Sequence, residues 1–179
     1  MSLIIQTIIL SVLFAVTMKT ADNLNEHGLK WFKGANILFG FLWGTFGALL
    51  ILSNNLLANL WMAALIGWIL RAKEDYLNHG IASAIIIITF IFNLKNFEFY
   101  PTLFLTFFIG MVVFGLTHDY LSYSKKVSKT FSEFFHTILY YILLPIVYSL
   151  LTREWIISIS FIPFIIAYEL TRTYGDIER

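Results

Sequence analysis

Residues 19–28 read Lys-Thr-Ala-Asp-Asn-Leu-Asn-Glu-His-Gly and separate two apolar runs. Residues 71–80, Arg-Ala-Lys-Glu-Asp-Tyr-Leu-Asn-His-Gly, also lie between two apolar runs, and a shorter polar stretch, His-Asp-Tyr-Leu-Ser, covers residues 118–122. Such dense polar groups are unusual in a chain of which only 13% is charged. We expect these stretches to form one polar cluster at one face of a membrane bundle.

The composition of the chain is that of a membrane protein. Hydrophobic residues make up 59% of the 179 residues, whereas soluble domains are nearer half apolar and a quarter charged. The excess is too large for a buried core, so we expect the solvent to be lipid. The length predicts a single transmembrane domain over residues 1–179 and a multi-pass protein of the cell membrane.

Charge and cysteine content exclude several functions. The net charge of +1 provides no field that would attract nucleic acid. The chain has no cysteine, which excludes disulfides, thiolate nucleophiles and Cys-ligated metal centres.

Seven apolar runs predict an all-α, polytopic integral membrane helix bundle of about seven transmembrane helices. Each run has about 15–22 residues, against roughly 20 for a perpendicular span. Because a backbone in lipid must satisfy its own hydrogen bonds, and the runs lack the alternation of barrel strands, we expect helices. The runs are about 2–18, 31–52, 55–71, 80–94, 99–117, 131–151 and 155–171.

The basic residues predict the orientation of these helices. With the loops after the first, third and fifth helices and the C-terminus on one side, that side carries ten Lys and Arg residues and the other two, Lys95 and Arg153. The positive-inside rule then places the N-terminus outside and the C-terminus in the cytoplasm. The inner side would also carry all four histidines.

The first two polar stretches share a pattern that suggests an internal repeat. Aligning Asp22 with Glu74 gives basic-x-x-acid-x-x-x-x-His-Gly with a period of 52 residues. A second alignment pairs Asp22 with Asp75 and Asp119, and both hold only if the stretches differ by a one-residue insertion. A repeated helix hairpin is one interpretation, and coincidence between short polar loops is the other.

The polar stretches carry the residue types of a metal-dependent phosphate site. Two carboxylates on one helix face can hold a hard cation, with phosphate oxygens completing its shell. The sequence predicts a divalent cation, with Mg²⁺ the favoured ion. Its predicted ligands are Asp22, Glu26, Glu74, Asp75 and Asp119. The predicted phosphate-binding residues are Lys19, Lys30, Lys33, Arg71 and Lys73. The predicted proton-exchanging residues are His27, His79 and His118, since histidine titrates near neutral pH.

Two further polar pairs lie at helix ends. Glu133 and His136 are three apart at the start of the sixth run. Glu169 and Arg172 are three apart near the end of the seventh, where an ionisable group is costly and usually functional. A local ion pair at the interface is the alternative for Glu169.

Glycines in the second run predict close helix packing. Gly40-x-x-x-Gly44 is a packing face in most apolar helices, and it would also allow an oligomer through this helix. The less favoured alternative is that these glycines line a path through the bundle.

The stretch from Asp22 to Lys33 resembles intramembrane prenyltransferases, which are similar in using aspartate-rich helix ends at the cytoplasmic face. The two Asp-x-x-x-Asp motifs of that family are absent, and the chain is two helices short of it. Membership is therefore not inferred.

These observations favour a small intramembrane enzyme that acts on a lipid or isoprenoid (di)phosphate from the cytoplasmic side, with membrane lipids as its surroundings. One alternative is a transporter or channel built from repeated helix hairpins, which should carry polar groups near the bilayer midplane. The other alternative is a non-catalytic subunit of a membrane complex.

Overall fold

A computed structural model describes residues 2–25, 28–71, 76–123, 131, 134 and 137–177, and the regular elements in these ranges are all helical. The all-α prediction is confirmed for this part of the chain. The helices are α1 (Leu3–Asn25), α2 (Ala35–Ser53), α3 (Asn55–Leu70), α4 (Leu77–Phe92), α5 (Pro101–Tyr123), α6 (Leu144–Thr152) and α7 (Ile156–Ile177). A 3₁₀ turn covers Leu94–Asn96, and a π-helical segment, Thr137–Leu143, runs into α6.

Four of the described helices, α1, α2, α5 and α7, are long and apolar enough to cross a membrane. Three shorter apolar helices are α3, α4 and the π-helical segment with α6. A helix of 16 residues, such as α3, rises about 24 Å, which is less than the roughly 30 Å of a hydrocarbon core. The seven apolar runs therefore correspond to seven helical regions, of which four have the length of a span.

The helices at the polar end differ from the apolar runs that predicted them. Helix α1 continues to Asn25, α5 to Tyr123 and α7 to Ile177, whereas the runs end at 18, 117 and 171. The extensions of α1 and α5 carry side chains with partners on neighbouring elements, such as Asp22 with His79 and Asp119 with Arg71. In the extension of α7, Arg172 pairs with Glu169 of the same helix. Helix α2 begins at Ala35, later than expected, after Gly34 adopts a left-handed φ of 85°.

The bundle is arranged around α3 and α1. Eleven of the 16 residues of α3 are buried, and α3 packs against α5, α2 and α7. Helix α1 packs between α2 and α7. The contact of Asp22 with Tyr168 brings the C-terminal ends of α1 and α7 together, and that of Arg71 with Asp119 does so for α3 and α5. The contacts of Asp22 with His79 and of Asn25 with Asn36 place the starts of α4 and α2 beside the end of α1.

The glycines of α2 pack against α4 of the same chain, as the sequence predicted. A Cβ atom added at Gly40 would lie 2.8 Å from the Cα atom of Asn78, and one at Gly44 would lie 2.7 Å from the Cα atom of Ala82. A methyl group at either position would overlap the backbone of α4. This face of α2 is therefore occupied within the chain, and it fixes the position of the first turn of α4.

Aromatic rings fill the middle of the bundle. The ring of Phe14 lies 5.7 Å from Trp43, 5.0 Å from Trp61 and 5.3 Å from Phe164, measured between centroids. These four residues come from α1, α2, α3 and α7. They form a cluster of rings, called the aromatic layer below, about two helical turns from Asp22 along α1.

At the opposite end, Asn59 binds the turn between α4 and α5. Its buried amide donates to the carbonyl oxygens of Asn55 and Glu98, both at 2.8 Å, and accepts from the N–H of Tyr100 at 3.0 Å. The Tyr100 hydroxyl donates to the Glu98 carboxylate at 2.8 Å. This hydrogen bond, with smaller effects from desolvation and nearby carboxylate charge, raises the pKa of Tyr100.

Candidate functional site

The centre of the polar end is a cluster of the buried Asp22, His79 and Lys19 with the partly buried Tyr168. The Oδ1 atom of Asp22 lies 2.9 Å from the Nε2 atom of His79. The Oδ2 atom of Asp22 accepts a hydrogen bond from the Tyr168 hydroxyl at 3.2 Å and lies 3.6 Å from the Lys19 ammonium. We call these four residues the Asp22 cluster.

Three helices supply the Asp22 cluster. Lys19 and Asp22 are three apart in the last two turns of α1, so they share a face. His79 lies in the first turn of α4, which the close contact between α2 and α4 brings toward α1. Tyr168 lies on α7, and its ring faces the Lys19 ammonium at 5.1 Å from the centroid, which adds a cation–π contact.

Burial makes the charges of the Asp22 cluster significant. The exposed fractions are 5% for Lys19, 6% for Asp22 and 7% for His79. Charges this far from water are retained only when they are paired and hydrogen-bonded. The carboxylate of Asp22, with three polar neighbours, is the group that holds the cluster together.

Three asparagines form a hydrogen-bonded chain beside the Asp22 cluster. The Asn36 side chain donates to the Oδ1 atom of Asn25 at 2.8 Å, and Asn25 in turn donates to the Oδ1 atom of Asn78. This Asn ladder joins the start of α2 to the end of α1 and the first turn of α4. It ends at the residue that precedes His79.

A second network lies at the same end, between α3 and α5. The Arg71 guanidinium donates to the Oδ2 atom of Asp119 from Nη2 at 2.9 Å and from Nε at 3.3 Å, and to the carbonyl oxygen of Gly115 at 3.1 Å. His118 lies 3.4 Å from Asp119 through Nδ1. The guanidinium occupies the space that a side chain at Gly115 would fill.

An open cavity of about 300 Å³ lies over the start of α2. Its lining residues come from the end of α1, the loop after it and the start of α2, and they are Leu24, Leu29, Lys30, Trp31, Phe32, Lys33, Ala35 and Asn36. Two exposed lysines and two exposed aromatic residues border this cavity. Such a lining suits an anionic head group with an attached apolar chain. Asn36 connects the cavity to the Asn ladder.

The structure brings together some of the predicted site residues and separates others. Asp22, His79 and Lys19 form one cluster, Arg71, Asp119 and His118 form another, and Lys30 and Lys33 line the cavity. Glu169 and Arg172 pair with each other at 2.6 Å and are about one-third exposed, as the ion-pair alternative for Glu169 expected. The predicted residues outside the described part of the chain are Glu26, His27, Lys73, Glu74, Asp75, Glu133 and His136.

The described residues carry no ready-made metal centre. Within the ranges that the structure describes, no three His, Asp or Glu side chains lie close enough together to hold a metal ion. Asp22 and Asp119, two of the predicted ligands, each lie beside a cationic side chain instead. The remaining predicted ligands, Glu26, Glu74 and Asp75, are outside those ranges.

Sequence reasoning missed three residues of the polar end, Tyr168, Asn25 and Asn78. A phenol near the polar end of an apolar helix, such as Tyr168, is a candidate partner for a buried carboxylate. Asn25 and Asn78 occupy equivalent positions in the alignment that pairs Asp22 with Asp75, so the repeat carried a signal for their contact. Asn36, a polar residue in an apolar run, hydrogen-bonds to a neighbouring helix, as its place in the sequence suggests.

No protein-family model, no curated protein and no solved structure matches the chain.

Proposed function

We propose that the chain is a small intramembrane enzyme that acts on a lipid or isoprenoid (di)phosphate at the polar end of the bundle. The observation that carries the proposal is the buried hydrogen-bonded pair of Asp22 and His79. A carboxylate that holds an imidazole fixes its orientation and tautomer, so that the imidazole can accept and return a proton. In this proposal Asp22 positions His79, and His79 exchanges protons with the substrate.

The phosphate would bind in the cavity beside Lys30 and Lys33. Both lysines line this open cavity, and lysine is a common phosphate ligand. Trp31 and Phe32 are half-exposed at the same place, where an acyl or prenyl chain would leave the cavity for the bilayer. Of the predicted phosphate ligands, Lys19 and Arg71 are buried in ion pairs and have structural roles in this proposal.

The orientation of the chain is a further part of the proposal. All seven helical regions cross the cell membrane, with the N-terminus outside and the C-terminus in the cytoplasm. The excess of Lys and Arg at the polar end supports this orientation. The short helices α3 and α4 would then be accommodated by local thinning of the bilayer or by polar residues at their ends.

The proposal also includes a divalent cation, for which Mg²⁺ is the favoured ion. Its ligands would be Glu26, Glu74 and Asp75 together with substrate oxygens, because Asp22 and Asp119 lie beside Lys19 and Arg71. Without such a cation, the two cavity lysines would provide the positive charge.

Transport is less well supported than catalysis by the described residues. A polar contact does exist on the outer side of the aromatic layer, where Ser160 lies 3.0 Å from Ser11 and accepts from the Trp61 indole at 2.9 Å. The aromatic layer separates this contact from the Asp22 cluster. A transport path would have to displace these rings.

The test measures binding and turnover with purified protein in detergent. Thermal stability is recorded with farnesyl diphosphate, phosphatidic acid and farnesol, each with and without Mg²⁺, and released phosphate or diphosphate is assayed. We expect the phosphate-bearing lipids to raise the melting temperature by mass action and farnesol to have a smaller effect. His79→Gln should abolish turnover, while the matched variant His118→Gln, in the other network, should retain it.

The proposal fails if no phosphate-bearing lipid changes the melting temperature and no phosphate is released. Equal loss of turnover in His79→Gln and His118→Gln would contradict the assignment of proton exchange to His79. A Mg²⁺-independent turnover would remove the cation from the proposal and leave the rest.

A further inference from the structure

Two buried N–H donors beside His79 have no hydrogen-bond partner among the residues that the structure describes. They are the Nδ2 group of Asn78 and the Nε1 group of Trp43. Asn78 precedes His79 and is fully buried, and Trp43 is 1% exposed. The indole ring lies edge-on to the imidazole, with 6.2 Å between the centroids. Asn78 thus precedes the proposed proton-exchanging residue in the chain, and the ring of Trp43 contacts its imidazole.

The surrounding packing holds the Asn78 donor in place. Its side-chain oxygen already accepts from Asn25, so the amide cannot turn its NH₂ group toward that partner. The backbone of Asn78 is pressed against Gly40, which prevents α4 from moving closer to α2. The Asn ladder thus orients one N–H donor and leaves it without an acceptor.

Two buried donors of the same kinds, in Trp61 and Asn59, are satisfied, whereas the hydroxyl of Thr7 is a further buried group without a partner among the described residues. The Nε1 group of buried Trp61 donates to the Ser160 hydroxyl at 2.9 Å. The buried amide of Asn59 donates to two carbonyl oxygens and accepts from one N–H. Since an unpaired buried donor costs about as much free energy as a lost hydrogen bond, native structures leave few of them, and those that remain require an explanation.

The Asn78 donor is connected to the cavity. Asn36 lines the cavity and begins the Asn ladder that ends at Asn78. Asn36 and Gly40 are four apart on α2, so they share a face, and Gly40 contacts Asn78. Asn78 therefore lies about one helical turn along α2 from Asn36, beyond the lining of the cavity.

We infer that Asn78 and Trp43 are substrate-binding residues that donate hydrogen bonds to an oxygen atom of the phosphate group while it is next to His79. This inference rests on the proposed function and adds two ligands to it. An acceptor with several lone pairs, such as a phosphoryl oxygen, satisfies two N–H donors at once. The ligand class is a phosphate monoester or diphosphate, either on a lipid or free.

The experiment compares Trp43→Phe with Trp61→Phe in the full chain. Both substitutions remove the same part of a buried indole, but only Trp61 loses a satisfied hydrogen bond. Without ligand, we expect Trp61→Phe to lower the melting temperature more than Trp43→Phe does. With farnesyl diphosphate, Trp43→Phe should bind about 10-fold more weakly than wild type, because a hydrogen bond to a charged group is lost, whereas Trp61→Phe should bind as wild type.

A second variant and three further probes complete the test. Asn78→Asp keeps an oxygen that can accept from Asn25 but replaces the NH₂ donor, so binding of farnesyl diphosphate should weaken again. Inorganic diphosphate and phosphatidic acid distinguish a free from a lipid-borne phosphate. Farnesol, which lacks the phosphate, should bind wild type and Trp43→Phe equally.

The outcomes separate this inference from the proposed function. If wild type binds farnesyl diphosphate and both Trp43→Phe and Asn78→Asp bind it equally well, the inference is wrong and the proposed function stands. If Trp43→Phe is destabilised as much as Trp61→Phe without ligand and keeps full affinity, an internal water satisfies the donor and the inference is again wrong. If no phosphate compound binds wild type, the proposed function and the inference both fail.

Discussion

The Oδ1 atom of Asp22 lies 2.9 Å from the Nε2 atom of His79, although 57 positions separate these residues along the chain. The contact joins the end of α1 to the first turn of α4, and when only side-chain atoms are counted each of the two residues is 9% exposed. The same carboxylate also contacts Tyr168 and Lys19. Asp22 is therefore both the centre of the proposed site and a structural connection between three helices.

Replacement of Asp22 by asparagine should destabilise the fold. Asp22→Asn keeps the shape of the side chain but removes the carboxylate charge that lies 3.6 Å from the buried Lys19 ammonium. Breaking a buried ion pair by removing one partner costs about 3–5 kcal/mol, which reversible unfolding in mixed micelles would measure. The matched variant Glu169→Gln breaks a pair that is about one-third exposed and should cost less than about 1 kcal/mol. Similar losses in both variants would contradict the role given to Asp22.

The charge balance of the Asp22 cluster can be tested separately. If the loss in Asp22→Asn comes from an uncompensated Lys19, adding Lys19→Met should recover part of it, because the buried cation is then absent. The coupling between the two substitutions is the quantity to measure. Additive losses would show that Lys19 and Asp22 stabilise the protein independently.

Substitution of Gly40 by alanine should separate α2 from α4. The added Cβ atom would lie 2.8 Å from the backbone of Asn78, and overpacking of this kind typically costs 1–3 kcal/mol. The control is Gly80→Ala on α4, where the added atom meets nothing within 4 Å. Alanine there should be neutral or should stabilise the helix by about 0.5–1 kcal/mol. Melting temperatures that fall equally in both variants would contradict the close contact at Gly40.

Arg71 should keep its position only while residue 115 is glycine. A methyl group at Gly115 would overlap the guanidinium, so Gly115→Ala should break the contacts of Arg71 with Asp119. Arg71→Lys should lose the same two-pronged contact, because an ammonium has no planar fork. The double variant should therefore be little less stable than either single one. A stability loss in the double variant equal to the sum of the two would refute this assignment.

The absence of cysteine makes the proposed orientation testable in cells. Single substitutions Lys30→Cys and Lys95→Cys place one thiol in the loop after α1 and one between α4 and α5. A membrane-impermeant maleimide added to intact cells should label Lys95→Cys only, and Lys30→Cys should react after the cells are opened. Labelling of Lys30→Cys in intact cells would reverse the proposed topology.

Helix content and the placement of charge could be predicted from the sequence because both follow from local composition. Long apolar runs in lipid must form helices, and each run corresponds to a helical region in the described residues. Most charged residues lie in the segments that follow the first, third, fifth and seventh runs. The ends of alternate helices therefore carry most of the charge. The bounds of α1, α5 and α7 were wrong because apolarity ends several residues before the helix does.

The partners of the polar residues were decided only by tertiary structure. Sequence spacing pairs residues three or four apart, such as Lys19 with Asp22, whereas His79 and Tyr168 reach Asp22 from other helices. The glycines of α2 set how closely α4 approaches, and that distance brings His79 to α1. Spacing along one helix contains no information on which face of another helix will meet it, because that depends on how the whole bundle buries its side chains.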